Sequence, residues 1–403
     1  MTSIEWTRNA DGTQGKSWNP VVGCSLASPG CTNCYAMAMA ARIEAIDEAA
    51  YRKRVDDAVA DAEDCDDEER IRAALNNERV ISHYAGLTTP SKAGPVYNGK
   101  VALAPDHILT EPLRRKKPTT WFVNSMGDLF HEAVPDAWID RVFAVMALCP
   151  QHTFIVLTKR SARMRAYVSR LCSTPDNDSD EVDAIATEAA SITGSPCAAG
   201  AVEDAFANGP LPNVWLGVST EDQRRADERI PDLLATPAAV RLVSAEPLLG
   251  PISFNTIDLP GGQDEVAPLG WEHLGRGENT DPRLDWIIVG GESGKGARPM
   301  HPDWARSIRD QCAAADVPYF FKQWGEWQVC SNDNGHHNHN MTTNGAKWVH
   351  ADGHVNGPSC HRADDKSHDS AIAMIRVGKS RAGRILDGRT HDAMPAGRQT
   401  EAV

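Results

Sequence analysis

The feature that most constrains the fold is a repeated alternation of short apolar segments with amphipathic ones. Each apolar segment is rich in β-branched and aromatic residues and ends in a polar or glycine-containing turn, which is typical of a buried parallel strand. Six segments are predicted as strands: Thr119–Ser125, Thr153–Lys159, Asn213–Ser219, Val240–Glu246, Leu284–Gly291 and Pro318–Trp324. Helices are predicted between them, most clearly over Asp136–Cys149, Glu221–Ala235 and His301–Ala315.

This order of elements predicts an α/β fold with a parallel sheet. Six or seven successive strand–helix units favour a partial or complete (βα) barrel with inserted loops. A Rossmann-like open sheet is the alternative. A length of 403 residues with 41% hydrophobic content suits one large domain of this kind.

Four stretches of biased composition interrupt the alternation. Residues 44–77 are highly charged and predict an exposed helical pair, whereas residues 173–212, 255–282 and 331–370 are polar or rich in small residues and predict loops. We therefore predict a barrel domain over 1–330, a His- and Asn-rich loop over 331–370, and a C-terminal extension over 371–403 that packs on the barrel or is partly disordered.

The histidines of the last predicted loop are a weak candidate metal site. No ligand pair there falls at regular spacing, so incidental residues of a polar loop are favoured over zinc ligands: His336, His337, His339, Cys360 and His361.

Composition limits the class of protein. The chain has no apolar run long enough to span a membrane, and its start lacks the pattern of a signal peptide. Ten cysteines, mostly scattered, favour reduced thiols over a disulfide framework, so we expect a soluble, cytoplasmic protein. A net charge of −14 argues against nonspecific coating of nucleic acid, although a local basic groove stays open.

Three closely spaced cysteines near the N-terminus indicate a metal site. Cys31 and Cys34 form a C-x2-C pair, and Cys24 lies upstream across a Ser-Pro-Gly turn. Structural zinc requires four protein ligands, so a local set of three indicates either a distant fourth ligand or an iron–sulfur cluster with one open iron.

Polar residues end five of the predicted strands, where generic turns would be expected. Because ligands bind outside the carboxyl ends of parallel strands, these residues would surround one pocket, although helix capping explains any one of them singly. Lys159 and Glu246 are the most informative, because a charge directly after an apolar strand requires a partner or a ligand.

Eight segments closely resemble a family of phage- and prophage-encoded proteins with a three-cysteine motif, which in turn is similar to radical S-adenosylmethionine (SAM) proteins. The resemblance runs from Ile4 to Trp327, and its segments are IEWT, WNPVVGCSLASPGCTNCYA, FVNSMGDLFHEAVPD, VLTKR, NVWLGVSTEDQ, RLVSAEPLLGP, WIIVGGESG-GARPMHPDW and YFFKQWGEW. The six-residue gap between the first two cysteines is longer than is usual in radical SAM enzymes, and Asn33 stands where an aromatic residue is usual.

The resemblance implies a barrel of the radical SAM type with a [4Fe-4S] cluster on Cys24, Cys31 and Cys34. SAM would chelate the fourth iron and be cleaved reductively, with a flavodoxin or ferredoxin as electron donor. No catalytic residue is predicted. The residues assigned to the cluster surroundings or to SAM are Tyr35, Asn124, Ser125, Met126, Gly127, Asp128, Lys159, Ser219, Glu246, Gly290, Gly291 and Glu292.

Two functional classes follow. One is a radical SAM enzyme acting on a nucleobase or nucleoside in phage DNA modification or repair, with a separately encoded partner protein as a candidate to complete the site. The other is a non-catalytic protein in which the cysteines bind zinc or a cluster and the barrel is a binding module. The polar strand ends favour the enzyme, because a binding module has no need of a polar pocket at that place.

Overall fold

Seven parallel strands form the main sheet and follow one another in chain order. The structure is a computed structural model that describes residues 4–9, 11–60, 82–172, 180–259, 265–276, 282–330, 346–356 and 371–395. The sheet curls into a half-barrel surrounded by helices. Its strands are β1 (Lys16–Trp18), β2 (Thr120–Val123), β3 (Thr153–Thr158), β4 (Val214–Ser219), β5 (Val240–Ala245), β6 (Trp286–Gly290) and β7 (Tyr319–Gln323).

The strand order confirms the partial barrel at the level of architecture. Each strand pairs in parallel with the next along the chain, from β1 to β7. A doubly wound sheet would reverse its strand order at a switch point, so the Rossmann-like alternative is wrong. All six predicted strands are present, and β1 was missed because three residues carry too little periodicity to be recognised.

Alternate residues of the strands face two separate cores. Phe154 and Val156 of β3 pack outward in one core with the apolar faces of the helices. Ile155 points the other way and pairs in register with Trp215 of the next strand. The second core holds no helical residue in the described ranges, so it fills the concave face of the half-barrel, and its aromatic members include Trp6, Trp215, Trp286 and Phe320.

Seven longer helices accompany the sheet in the described part of the chain. The three predicted helices are confirmed to within a few residues, and α6 and α7 begin at the side-chain caps Asp222 and His301. None of the described helices is long and apolar enough to cross a membrane. The helices are α1 (Tyr35–Ala60), α2 (Asp136–Ala147), α3 (Ser161–Leu171), α4 (Asp180–Thr193), α5 (Cys197–Phe206), α6 (Gln223–Ala235) and α7 (Pro302–Ala314).

The loop predicted over residues 173–212 is wrong for most of its length, because α4 and α5 occupy 180–193 and 197–206. Acidic residues in the first turn of α4 favour a helix, and Val182, Ile185 and Ala189 form a buried stripe at helical spacing. Both helices pack against α2. Composition misled the prediction, since small residues suit a closely packed helix as well as a loop.

The other predicted insertions are only partly described. α1 continues as one helix to Ala60, and 61–81 lie outside the described residues. The stretch 255–282 contains a short hairpin, Ile257–Asp258 with Glu265–Val266, and the helical turn Glu272–Leu274. Two strands, Lys347–Val349 and Val355–Asn356, correct the loop predicted over 331–370. Its candidate metal ligands lie outside the described residues: His336, His337, His339, Cys360 and His361.

Residues 371–395 pack on the half-barrel. A four-stranded antiparallel sheet has the order Trp327–Val329, Ile372–Arg376, Lys347–Val349 and Val355–Asn356. Beyond it the chain follows β7, where the amide of Phe321 donates to the carbonyl of His391 at 2.9 Å. Covering this edge removes a row of unpaired strand groups from solvent. The remaining small elements are the strand pairs Val21–Val22 with Ala102–Leu103 and Thr88–Ser91 with Gly94–Tyr97, the single-turn helices Asp106–Leu109 and Lys379–Ala382, and the 3-10 turns Pro29–Cys31 and Pro112–Arg114.

Candidate functional site

The concave face of the half-barrel changes from aromatic to polar towards the carboxyl ends of its strands. Along β4 the inward positions run from Trp215 through Gly217 to Ser219, and Ser219 pairs in register with Ser244 of β5. A Cβ at Gly217 would lie 2.6 Å from Leu242 Cγ, so only glycine fits between the neighbouring strands. The alternation that builds the aromatic core therefore also presents small polar side chains above it.

Lys159 follows β3 at this polar level. Its side chain makes no hydrogen bond or ion pair within the described residues, yet its positive charge acts on both Cys34 and Glu221. Burial alone would raise the pKa of Glu221, but Lys159, a hydrogen bond from Ser28 and the charge of Arg229 together lower it. A half-buried ammonium without a carboxylate partner is suited to an anionic ligand.

The cysteines lie on a loop that begins at the end of β1 and runs into α1. We call residues 23–34 the cysteine loop. It crosses the end of β2, where Gly23 forms a bridge with Gly127. A Cβ at Gly127 would lie 2.8 Å from the carbonyl oxygen of Val21, so glycine permits this close approach. The cysteine loop therefore covers the carboxyl end of the sheet.

Arg160 fastens the Cys24 end of the loop. Its guanidinium donates to Cys24 Sγ at 3.3 Å, to Ser25 Oγ at 2.8 Å and to the Ser25 carbonyl at 3.1 Å. Asp128, which is 5% exposed, pairs with the same guanidinium at 3.2 Å and also accepts from Thr158. Asp128 thus holds Arg160 in place, and its predicted contact with a bound ligand stays a prediction.

Glu221 fastens the middle of the loop. This residue is fully buried, and it accepts from the amide of Gly30 at 3.2 Å and from Arg229 at 3.1 Å. A Cβ at Gly30 would lie 3.1 Å from the Glu221 carboxyl carbon, so the loop needs a glycine at this contact.

Glu292 fastens the Cys34 end. It accepts from Asn33 Nδ2 at 3.1 Å and forms a two-pronged pair with Arg298, which in turn donates to the Pro29 carbonyl at 2.9 Å. Three acid–arginine pairs with buried carboxylates, from three strand ends, therefore hold one loop. We call them the loop anchors: Asp128–Arg160, Glu221–Arg229 and Glu292–Arg298.

The three thiols form no disulfide; Cys31 is buried, whereas Cys24 and Cys34 are partly exposed. Burial, aided by the charge of Asp128 and opposed by Arg160, raises the pKa of Cys24 to about 12. Burial also raises the pKa of Cys34. Both thiols are therefore protonated at neutral pH, and a metal that binds them must displace protons.

The donor chemistry of the loop fits a cluster, but its sulfur atoms are not preassembled. Cys24 Sγ donates to the Ser25 carbonyl at 3.4 Å, and Cys31 Sγ accepts from the Ala27 amide at 3.5 Å. Among the described residues, no three His, Cys, Asp or Glu side chains are arranged to hold a metal ion. Binding would require the thiols to rotate inward on a loop whose backbone is already anchored.

Three buried polar atoms near the strand ends have no hydrogen-bond partner in the described part of the chain. They are Asn124 Nδ2, Thr220 Oγ1 and Gln323 Oε1. Asn124 has a left-handed backbone, with φ of 57°, and its Oδ1 accepts from the Val21 amide at 3.2 Å. Orphaned polar atoms in a native structure call for an explanation, and a polar ligand at this end of the barrel would supply one.

The other predicted ligand residues have internal partners. Ser125 Oγ donates to Asn19, and its carbonyl accepts from the Tyr35 hydroxyl at 2.9 Å. Met126 packs in a small apolar cluster with Met37 and Tyr97. The side chains of Ser125 and Met126 therefore both contact other residues of the protein.

Packing requires glycines at the end of β6, where Gly290 is the last residue of the strand and Gly291 follows it. A Cβ at Gly290 would lie 2.5 Å from Glu246 Oε1, and one at Gly291 would lie 2.1 Å from the Trp324 carbonyl oxygen. Glu246 pairs across this gap with Lys322 at 2.9 Å. The predicted partner of the Glu246 charge is therefore a lysine of this chain.

Four residues of the loop anchors were not among the predicted site residues: Arg160, Glu221, Arg229 and Arg298. Arg160 directly follows Lys159 and Glu221 directly follows Thr220, so their place after a strand was the available signal. Arg229 and Arg298 lie farther along the chain, and only the tertiary structure brings them to the loop.

A family model described as "Protein of unknown function (DUF5131)" matches residues 1–395. The chain belongs to this family. The DUF5131 match takes in the half-barrel, the cysteine loop and all three loop anchors. No curated protein and no solved structure gives a significant match to the chain.

Proposed function

We propose that this chain is a radical SAM-type iron–sulfur enzyme. The observation that carries the proposal is the place of the cysteine loop, which follows the first strand and is anchored over the carboxyl ends of a parallel half-barrel. In parallel α/β folds this is the end at which ligands bind.

In this proposal Cys24, Cys31 and Cys34 are the three protein ligands of a [4Fe-4S] cluster. When bound, the cluster would supply the electron for reductive cleavage of SAM, after reduction by a donor such as a flavodoxin or ferredoxin. Arg160 favours the thiolate of Cys24 by a charge-assisted hydrogen bond. The loop anchors limit backbone motion, so that the thiols need only rotate.

SAM would occupy the polar end of the concave face. Lys159 supplies an ammonium for its carboxylate, and Asn124 Nδ2 supplies an unused donor. Ser219 lies at the same level on β4. The proposed substrate is a nucleobase or nucleoside in phage DNA modification or repair, with a separately encoded partner protein available to complete the site.

The second candidate is a zinc- or cluster-binding protein without catalysis. His131 supports a zinc site, because its Nε2 lies 2.8 Å from Ser25 Oγ, next to Cys24. A rotated His131 would give the fourth ligand that structural zinc requires.

Anaerobic reconstitution with iron and sulfide, followed by electron paramagnetic resonance of the reduced protein, tests the proposal. We expect a [4Fe-4S] signal that shifts when SAM is added. The signal should be absent from the Cys24/Cys31/Cys34→Ala variant and retained in Cys197→Ala, whose cysteine is exposed and distant in sequence.

Zinc analysis of the same samples separates the two candidates. The proposed enzyme function is wrong if the wild-type protein forms no cluster and contains stoichiometric zinc that is lost in His131→Gln. A cluster that forms equally well in His131→Gln would exclude the zinc site.

A further inference from the structure

An open cleft of 480 Å³ lies beside the cysteine loop. This volume is in the range of small-molecule sites. One wall comes from the half-barrel and the other from the antiparallel sheet, and its lining includes Pro29, Asp222, Leu249, Arg298, Lys347 and Val355. The cleft thus touches the cysteine loop through Pro29, yet much of it lies outside the polar concave face.

The lining of the cleft includes one cation, Lys347, that has no carboxylate partner within the described residues. Lys347 Nζ lies 5.2 Å from the centre of the buried Trp327 ring, and no carboxylate in the described ranges pairs with it. Asp222 is the acidic side chain of the lining, and it already accepts from the Arg225 amide at 3.0 Å. An ammonium fixed over an aromatic ring and lacking an anionic partner favours a negatively charged ligand.

Arg298 links this cleft to the cysteine loop. Its Nε and one terminal nitrogen bind Glu292 and the Pro29 carbonyl, and the other terminal nitrogen makes no hydrogen bond within the described residues. About a third of the side chain is exposed, with a value of 32%. Arg298 can therefore donate to a ligand in the cleft without releasing the loop.

We propose that the cleft binds the anionic group of the substrate, a phosphate or carboxylate on a molecule of roughly nucleotide size. Lys347 provides the point charge, Arg298 a directed hydrogen bond, and Leu249 with Val355 an apolar surface for the rest of the molecule. As an assignment of substrate class this inference rests on the proposed function, because it takes the cysteine loop as the reactive centre.

Calorimetric titration of the full-length protein with uridine 5′-monophosphate, uridine, inorganic phosphate and acetate tests the cleft. We expect the nucleotide to bind and the neutral nucleoside to bind at least about tenfold more weakly. Phosphate and acetate, compared at equal concentration, show which anion the cleft prefers.

Three lysine variants locate the binding. Lys347→Met should weaken nucleotide affinity by about tenfold, which corresponds to one lost charge-assisted contact. Lys92→Met is the matched control, because Lys92 is an exposed lysine in the turn after Thr88–Ser91, and its affinity should stay within about twofold of wild type. Three results would overturn the proposal. The Lys347→Met variant could bind the nucleotide as tightly as wild type, Lys159→Met could weaken binding in its place, or the protein could bind none of the anions.

The Cys24/Cys31/Cys34→Ala variant keeps the two proposals distinguishable. It should bind the nucleotide as wild type does while losing iron. If the wild-type protein forms no cluster but Lys347→Met still weakens nucleotide binding, the proposed enzyme function is wrong and the anion site in the cleft is kept. If the cluster forms normally but Lys347→Met does not change nucleotide affinity, only the proposed anion site in the cleft is wrong.

Discussion

The two ends of the half-barrel interior are built on opposite principles. At the amino ends of the strands, Trp286 makes edge-to-face contacts with Trp6, Trp215 and Phe320, with ring centres 6.1–6.2 Å apart. At the carboxyl ends, Lys159 makes no direct ion pair within the described residues, although its charge acts on Glu221, and Asn124 Nδ2 has no acceptor there. Aromatic packing dominates the first end, where Trp6 Nε1 also lacks an acceptor within the described residues. The second end instead brings a charge and amide or hydroxyl groups together, as expected where a polar ligand completes the structure.

The loop anchors lie between these extremes. Their carboxylates are buried, but each is paired and hydrogen-bonded, so the loop anchors fix the position of the cysteine loop with little net gain in stability. The aromatic end therefore maintains the fold, whereas the loop anchors position the cysteine loop.

The largest effect is expected at the aromatic end. Trp286→Ala removes a fully buried ring from the concave core and should lower the free energy of unfolding by about 4 kcal/mol. Urea denaturation followed by circular dichroism measures the change. A loss below about 1 kcal/mol would show that this core is not tightly packed.

Glu221→Gln should have the next largest effect. It leaves Arg229 buried without its countercharge and should lower the free energy of unfolding by about 3 kcal/mol. Limited proteolysis should show faster cleavage in the cysteine loop, because the contact to Gly30 is weakened. Asp310→Asn, at an exposed acid on α7, is the control and should behave as wild type.

The pH dependence of stability should report the same anchor. Because the folded-state pKa of Glu221 is lowered, its contribution is fully present above the ordinary glutamate pKa and is lost as pH falls through the folded value. The difference in unfolding free energy between wild type and Glu221→Gln should therefore shrink on acidification. A difference that is constant or grows as the pH falls would contradict the lowered pKa.

The smallest effect on stability is expected at Lys159. Lys159→Met removes a charge that has no ion-pair partner in the described residues, so the free energy of unfolding should change by less than about 1 kcal/mol or increase slightly. SAM binding, measured by calorimetry on the reconstituted protein, should nevertheless be lost or severely weakened. A large loss of stability with unchanged SAM binding would assign Lys159 to the fold.

Local patterns predicted the strands well but did not reveal the internal partners of several polar side chains. Asp128 and Glu292 end predicted strands and were assigned to a ligand, whereas each is turned to an arginine that holds the cysteine loop. The end of a strand determines the backbone position of a residue. The residue that its side chain contacts depends on segments that are distant in the sequence. The sequence does not show which acid pairs with Arg229 or with Arg298, because the local sequence pattern is compatible with many acid–arginine pairings.

The sequence by itself determined the half-barrel and the chemistry available to it. Apolar alternation specifies parallel strands, and three closely spaced thiols with polar strand ends specify the kind of site, because both depend on neighbours along the chain. The tertiary structure alone decided which charges anchor the loop and which, like Lys159, make no ion pair within the described residues. Burial and pairing across long sequence separations set the energy of a charge, and these emerge only when the strands are assembled.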